Sequence, residues 1–439
     1  MNNELKEFVK YKYGNDKFWF ADFVNEPYNR ARIGKDFDLI NYLNGKHQVL
    51  NREDFTYKDK KFISKKLILN LAKTIINFHT TYIVGNPVSL TGTEELINKV
   101  NNIYRYGGFN KTDFNIANKL VKFGNAYEYI YKEGNKIKSK LIDTDTGYPV
   151  YNDNQDYIAF VQYWTTIDGI DYYYIYTEDN IEYWSNIGGD MHLIDTYNNT
   201  SHSLPIVYKY VNDYDYRYGR GLLEDILPIL NELEDIFSKM GDAIYRLSLN
   251  PLLVSTGQAL ENSGVSKDVT GSCINLDNGS TVEYTECTMD YNTIKLYIDK
   301  LENYLNMVGY LPTVLGGSGN IANVSEVSLK LLYQLADVYA MVTEQVLREG
   351  MNDRLNIIRE LIKDNKEDDY INVTFNYSRP QNAQELLNNI KVQSDMNAIS
   401  IQSIIEKSPI TTDTAMELER LKGSNDDTKE SNEDTKIDK

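Results

Sequence analysis

Between Leu223 and Leu247 the apolar residues fall at three- and four-residue steps: Leu223, Ile226, Leu230, Leu233, Phe237, Met240, Ile244 and Leu247. A repeat near 3.6 residues gathers them on one stripe of an α-helix, and such a stripe must find an apolar surface to lie on. Glu224, Asp225, Glu232, Glu234, Asp235 and Asp242 fall largely on the other face. Pro228 interrupts the pattern, since proline inside a helix removes a backbone bond and clashes with the preceding turn. The expectation is a short helix ending near Leu227 and a second starting at Pro228, where a first turn tolerates proline. Past Pro251 come short β-branched runs with Gly, Asn and Asp punctuation, up to about Asp290. Helical spacing returns with Ile294, Tyr297, Leu301, Tyr304, Leu305 and Val308, and a polar break holding Gly316, Gly317, Ser318, Gly319, Asn320 and Asn323 follows. Ser325 and Glu326 then read as the cap of a helix running to Lys363, ~58 Å if unbroken, with Gly350 as its expected weak point.

The chain before this stretch changes character twice. Residues 1–60 mix polar and aromatic residues and predict one or two short helices and loops. In 62–90, Leu67, Leu71, Ile75 and Ile76 predict a helix stopped at Gly85-Asn86-Pro87. Two helices are expected over 94–122. From Ala126 strands alternate with turns at Glu133-Gly134-Asn135 and Asp145-Thr146-Gly147. Tyrosine is abundant, 36 copies against 14 Phe and 3 Trp, and is dense over 157–184. Large rings with few rotatable bonds suit subunit contacts and polar-rimmed sheets, and sugar binding as well; codon bias in an AT-rich genome gives the same excess. After the long helix, 370–378 reads as a strand returning to the β-rich part. Helical segments at 381–394, 398–407 and 411–422 precede a charged, low-complexity tail that reads as disordered.

Composition narrows the function. The chain has 439 residues and a net charge of −18, distributed as about +9 over residues 1–140 and about −27 over the rest. Gripping DNA requires Lys and Arg to displace phosphate counterions, so the acidic part is suited to a surface that nucleic acid passes without sticking; solubility alone accounts for the charge equally well. The glycines of 316–319 do not form a phosphate loop, because no lysine lies between Lys300 and Lys330. Asp143-Thr144-Asp145-Thr146-Gly147 fails as a calcium loop, since Asn154 stands where a bidentate Glu is needed. His47, His79, His192 and His202 form no metal motif, and Cys273 and Cys287 are too few for a zinc site or a disulfide framework. No nucleophile elbow is present, so the expectation is no catalysis, no metal and no cofactor. Nothing approaches about 18 consecutive apolar residues, and the N-terminus lacks a signal-peptide pattern, so synthesis in the cytosol without membrane insertion is expected.

The order helix, small β insertion, helix, Gly-rich loop and long helix resembles the portal proteins of tailed bacteriophages, most closely the family found in long-tailed phages of Gram-positive bacteria. Shorter elements add to it: Tyr82-Ile83-Val84-Gly85-Asn86-Pro87 after a helix, Pro149, Tyr151 and Asp153 with Asn152 as an extra residue, and Leu204-Pro205-Ile206-Val207 before the acidic helix. The end 399–421, with Asp413 leading a helix that carries Glu417 and Glu419, is similar to the family's close. The resemblance implies an α+β fold of portal type. It divides the chain into a peripheral segment (1–60), a wing (61–218), a first stem helix (219–250), a clip (251–289) and a second stem helix (290–310). A tunnel loop (311–324), a long helix with a returning wing strand (325–380), a helical crown (381–422) and a disordered acidic tail (423–439) complete it. It further implies a homo-oligomeric ring of 12 subunits at a capsid vertex, in the virion, assembled in the host bacterial cytoplasm. Double-stranded DNA would pass through it without sequence specificity. Terminase large subunit, head-tail adaptor, capsid and scaffolding proteins are the implied partners. Gly316, Gly317, Ser318, Gly319, Asn320 and Asn323 would face the DNA, and Glu232, Glu234, Asp235 and Asp242 would form an acidic stem face. Two other readings stay open, a Tyr-rich glycan- or surface-binding module and another ring such as a tail adaptor.

Overall fold

The computed structural model describes residues 3–57, 60–244, 252–256, 278–285, 291–312, 326–364, 366, 369–380, 383–408, 411, 417–418 and 420–421. They belong to two compact units, Met1–Leu311 with Tyr339–Tyr377, and Pro312–Val338 with Ser378–Lys439.

The first unit opens with α1 (Asn3–Tyr13), α2 (Trp19–Val24) and α3 (Pro27–Leu43), more helix than the sequence suggested. Pro27 starts α3 because its fixed φ suits a first turn, where its missing N–H costs nothing. A hairpin of β1 (Phe55–Tyr57) and β2 (Lys60–Phe62) leads to α4 (Leu71–Val84), so the helix expected over 62–90 starts only at Leu71. Next come β3 (Ser89–Gly92), α5 (Glu94–Gly107) and α6 (Phe109–Phe123), the last two forming the pair expected over 94–122.

Eight strands follow: β4 (Asn125–Glu133), β5 (Lys136–Ile142), β6 (Gly147–Tyr151), β7 (Tyr157–Thr165), β8 (Asp171–Tyr176), β9 (Asn180–Ser185), β10 (His192–Asn198) and β11 (Ile206–Lys209). They make a five-stranded antiparallel sheet in the order β10-β9-β8-β7-β6 and a three-stranded one in the order β11-β4-β5. Side chains alternate across the larger sheet. Val161, Tyr173, Ile175 and Trp184 point to one face, where Leu5, Phe8, Trp19, Phe20 and Phe23 of the N-terminal helices cover them. Phe160, Tyr176 and Ile181 point to the other and meet Tyr127, Tyr129 and Ile142 of the smaller sheet. The N-terminal helices thus supply one side of a core shared with the five-stranded sheet.

The remaining elements of this unit are α7 (Leu222–Ala243), β12 (Leu252–Thr256), β13 (Thr281–Thr285) and α8 (Tyr291–Val308). β12 and β13 pair in register from Leu252 opposite Thr285 to Thr256 opposite Thr281. α7 is one helix with Pro228 inside it, not two helices. Its buried stripe of Leu222, Leu223, Ile226, Leu230 and Leu233 continues across the proline, and that burial outweighs the one backbone bond lost.

α9 (Glu326–Leu332) and α10 (Gln334–Ile362) replace the single helix expected from Ser325, which itself lies outside the described residues. The break falls at Tyr333, and α10 runs through Gly350 uninterrupted. Gly350 is there for packing: a Cβ on it would stand 2.2 Å from the Tyr208 ring. β14 (Ile371–Thr374) pairs with β3 and so forms a separate two-stranded sheet, joining neither larger one. The second unit contains α9, α11 (Ala383–Asp395) and α12 (Ile401–Lys407), the last capped by Ser400, whose Oγ accepts from Ser403 N at 3.2 Å. Cys273, Cys287, Asp413, Glu419 and the tail lie outside the described residues.

Candidate functional site

The amphipathic α7 is where sequence reasoning placed an acidic face, and its carboxylates have specific partners. Glu234, Ser238 and Asp242 recur every four residues, ~6 Å apart along the helix. Beside them the chain from Lys65 to Leu69 is extended. Leu69 N–H donates to Glu234 Oε1 at 3.0 Å, Leu67 N–H to Ser238 Oγ at 2.9 Å, and Lys65 N–H to Asp242 Oδ1 at 2.8 Å. Alternate residues of an extended chain are ~6.8 Å apart, so the two repeats stay in step over three contacts. This explains why residues 63–70 are not helical: α7 side chains take the N–H groups a helix would need.

Glu234 is buried, its second set of bonds coming from His47 Nδ1 at 2.8 Å and 2.9 Å from its two oxygens. The Tyr42 ring covers His47 with centroids 4.0 Å apart. Arg52 reaches Asp242 Oδ2 at 3.0 Å and Asp235 Oδ1 at 3.6 Å, and Lys239 pairs with Asp235 at 2.5 Å. Glu232, exposed, accepts from Tyr297 Oη of α8 at 2.9 Å. Of the four acidic residues singled out, Glu234 is therefore interior and Asp242 is committed to the strap over 65–69. Glu232 and Asp235 remain at the surface. Sequence reasoning missed His47, Arg52 and Ser238; the Glu-x3-Ser-x3-Asp spacing was the available signal for Ser238.

Gly316, Gly317, Ser318, Gly319, Asn320 and Asn323 lie outside the described residues, but the ends of their segment are held firmly. His79 of α4 is fully buried and its Nε2–H donates to Gly309 O at 2.7 Å. Burial drives the His79 pKa down to about 4, with the Gly309 bond opposing, so the ring is neutral. The same ring meets Tyr339 with centroids at 4.6 Å, and Tyr310 meets Tyr339 at 5.2 Å. Tyr210 Oη lies 2.7 Å from Thr343 Oγ1 and donates to Tyr339 Oη at 3.1 Å. Residues just before Pro312 and just after Val338 thus share one buried aromatic cluster.

A second buried network fastens α10 to the sheets. Arg354, fully buried, pairs with Asp113 of α6 and with Glu128 of β4, whose Oε2 lies 3.0 Å from Arg354 Nε. Tyr208 Oη donates to the same Oε2 at 2.7 Å. Burial pushes the Asp113 carboxyl up from the usual range, and Arg354 opposes that shift.

α8 shows the opposite behaviour. Its buried residue is Leu305, while Tyr291, Leu296, Tyr304 and Met307 stand exposed, Leu296 at 60% and Met307 at 61%. The dense tyrosines have another role. Trp164, Tyr172, Tyr174 and Tyr183 stand on one sheet face, half-buried. Trp164–Tyr172, Tyr172–Tyr183 and Tyr174–Tyr183 stack at 5.5, 6.0 and 4.6 Å with planes within 19°. Their flat faces are turned to one another, which stabilises cross-strand pairs and leaves little ring face for a sugar.

Among the described residues no group of three or more His, Cys, Asp or Glu is placed to hold a metal, and no helix is long and apolar enough to cross a membrane. The chain matches the family model described as phage portal protein, SPP1 Gp6-like, over residues 29–431. No curated protein matches it. Solved structures to which the chain shows similarity include a chain of the virion of a native gene transfer agent particle, at 11% identity and TM-score 0.45, covering 76% of this chain and 87% of that one. A chain from the neck of an empty gene transfer agent particle, computed with C6 symmetry, gives 11% and 0.48 with 73% and 85% covered. One from the neck of a native particle, computed with C12 symmetry, gives 11% and 0.46 with 76% and 86% covered.

Proposed function

The chain belongs to the SPP1 Gp6-like family of phage portal proteins, a structural family, and from that premise we propose that it forms a ring of 12 copies at a capsid vertex in the virion. Double-stranded DNA enters and leaves through the ring's centre. The observation that carries this reading is α8, an 18-residue helix of which Leu305 alone is buried while Leu296, Tyr304 and Met307 stay exposed. An apolar helix face of this kind needs a second surface, and repeated head-to-tail contacts about an axis close into a ring.

In this reading α7 and α8 line the channel, with Glu232 and Asp235 as the surface carboxylates that keep phosphate at a distance. The loop holding Gly316, Gly317, Ser318, Gly319, Asn320 and Asn323 meets the DNA with uncharged groups. Residues 251–289 dock the terminase motor during packaging and the head-tail adaptor afterwards, and the capsid and scaffolding proteins surround the wing. Assembly takes place in the cytoplasm of the bacterial host.

Mass photometry with negative-stain imaging of the purified protein tests the reading. A closed ring with a central hole is the expected result. A monomer at every concentration, with or without added scaffolding protein, would overturn it.

A further inference from the structure

The described surface contains a groove that the channel reading leaves without a purpose. It has a volume of about 610 Å³ and lies between the end of α5, the β4–β5 hairpin and the end of α10. Its floor is apolar, made by Ile103, Ile137, Leu361 and Ile362, with Tyr106 standing 74% exposed at the lip. Lys132, Lys136 and Lys363 surround it, all exposed, and none makes a salt bridge among the described residues. The nearby carboxylates Glu133, Glu95 and Asp364 already hold Lys138, Lys99 and Lys366. Lys363 adopts a left-handed φ of 56° just past α10, a position where glycine costs less than a lysine.

We propose that this groove docks an acidic amphipathic segment of a different protein. Apolar side chains of the segment fill the floor, and its Asp or Glu side chains meet the three lysines. Charge complementarity selects this occupant: Lys132, Lys136 and Lys363 make no salt bridge among the described residues, Lys136 having only a longer-range attraction to Glu133 across the β4–β5 pair, and such a group around an apolar floor is unusual on a chain of net charge −18. Nucleic acid fits less well, because phosphate contacts leave the Ile103, Ile137 and Leu361 surface uncovered. A second copy of the chain carries an excess of negative charge as well, but the groove's size suits a few side chains of a segment and not a folded face. The inference does not depend on ring formation.

The test uses the full chain and a fluorescein-labelled peptide with leucines at helical spacing and glutamates between them, read by fluorescence anisotropy. The peptide is expected to bind, to weaken with salt, and to bind at least about tenfold more weakly to a Lys132→Glu, Lys136→Glu, Lys363→Glu variant whose melting temperature is unchanged. Ile103→Asp is expected to weaken it similarly. A glutamate-to-glutamine peptide that binds equally well, or a leucine-free polyglutamate that does so, overturns the proposal. So does labelled duplex DNA that binds the same groove more tightly than the peptide. Self-association abolished by the three charge reversals, with no peptide binding, assigns the groove to a second copy and likewise overturns it.

Discussion

Single side chains hold this fold at points where burial and charge oppose each other. Arg354 is fully buried with Glu128 and Asp113, and removing it would strand two carboxylates in the interior. Arg354→Met should lower stability by about 3–5 kcal/mol in denaturant titrations, and adding Glu128→Gln should recover part of that loss. His79 gives a pH-dependent contribution whose sign is fixed by its shift. The unfolded chain takes up this proton near pH 6.5 and the folded chain only near pH 4. Its contribution is therefore fully present above 6.5 and falls as the pH drops through that window, by up to about 1.4 kcal/mol per pH unit. His79→Gln keeps a donor for Gly309 and should flatten stability against pH between 6.5 and 4, whatever its effect at neutral pH. Neither residue was legible as important in the sequence. A lone histidine and a mid-helix arginine look ordinary until the fold brings Gly309, Glu128 and Asp113 to them from far along the chain.

Elements show where local rules yield to packing. Pro228 was expected to divide α7 and does not, because the stripe from Leu222 to Leu233 is buried on both sides of it. Pro228→Ala should restore a backbone bond and raise stability by about 1–2 kcal/mol, after allowing for the greater freedom of the unfolded chain. A loss of stability would show that the proline is needed for the course of the helix. The strap over 65–69 is the reverse case, a stretch with helical spacing pulled straight by Glu234, Ser238 and Asp242. Ser238→Ala should cost about 1 kcal/mol, whereas Glu234→Ala, which also frees buried His47, should cost about 2–4 kcal/mol. Equal effects from the two would mean that His47 contributes nothing to the contact.

At the scale of the whole molecule, the two stem-like helices differ in how much apolar surface they leave uncovered. α7 spends most of its carboxylates on internal contacts, while α8 keeps Leu296 and Met307 exposed. Leu296→Glu with Met307→Glu should leave the secondary structure of the chain unchanged by circular dichroism and shift its mass distribution from ring to monomer. If the ring persists, α8 is not the surface that closes it. The assembled protein should bind duplex DNA no tighter than about 10 µM at moderate salt, because a net charge of −18 offers few phosphate contacts. A steep salt dependence of tight binding would contradict the picture of a passage that DNA does not stick to.

The sequence by itself determined the element types over most of the chain and the portal family, because hydrophobic period, turn residues and element order are local and survive without contacts. It located the turns near Gly134 and Thr146, the pair α5 and α6, and the amphipathic α7. Only the tertiary structure decided that the N-terminal aromatics form a core with the five-stranded sheet, that β14 pairs with β3, and that Gly350 makes room for Tyr208. It also decided that Glu234 is interior. Periodicity assigns a side chain to a face of its helix, but which face meets protein and which meets solvent depends on groups distant in sequence, here His47 and the backbone of Leu69.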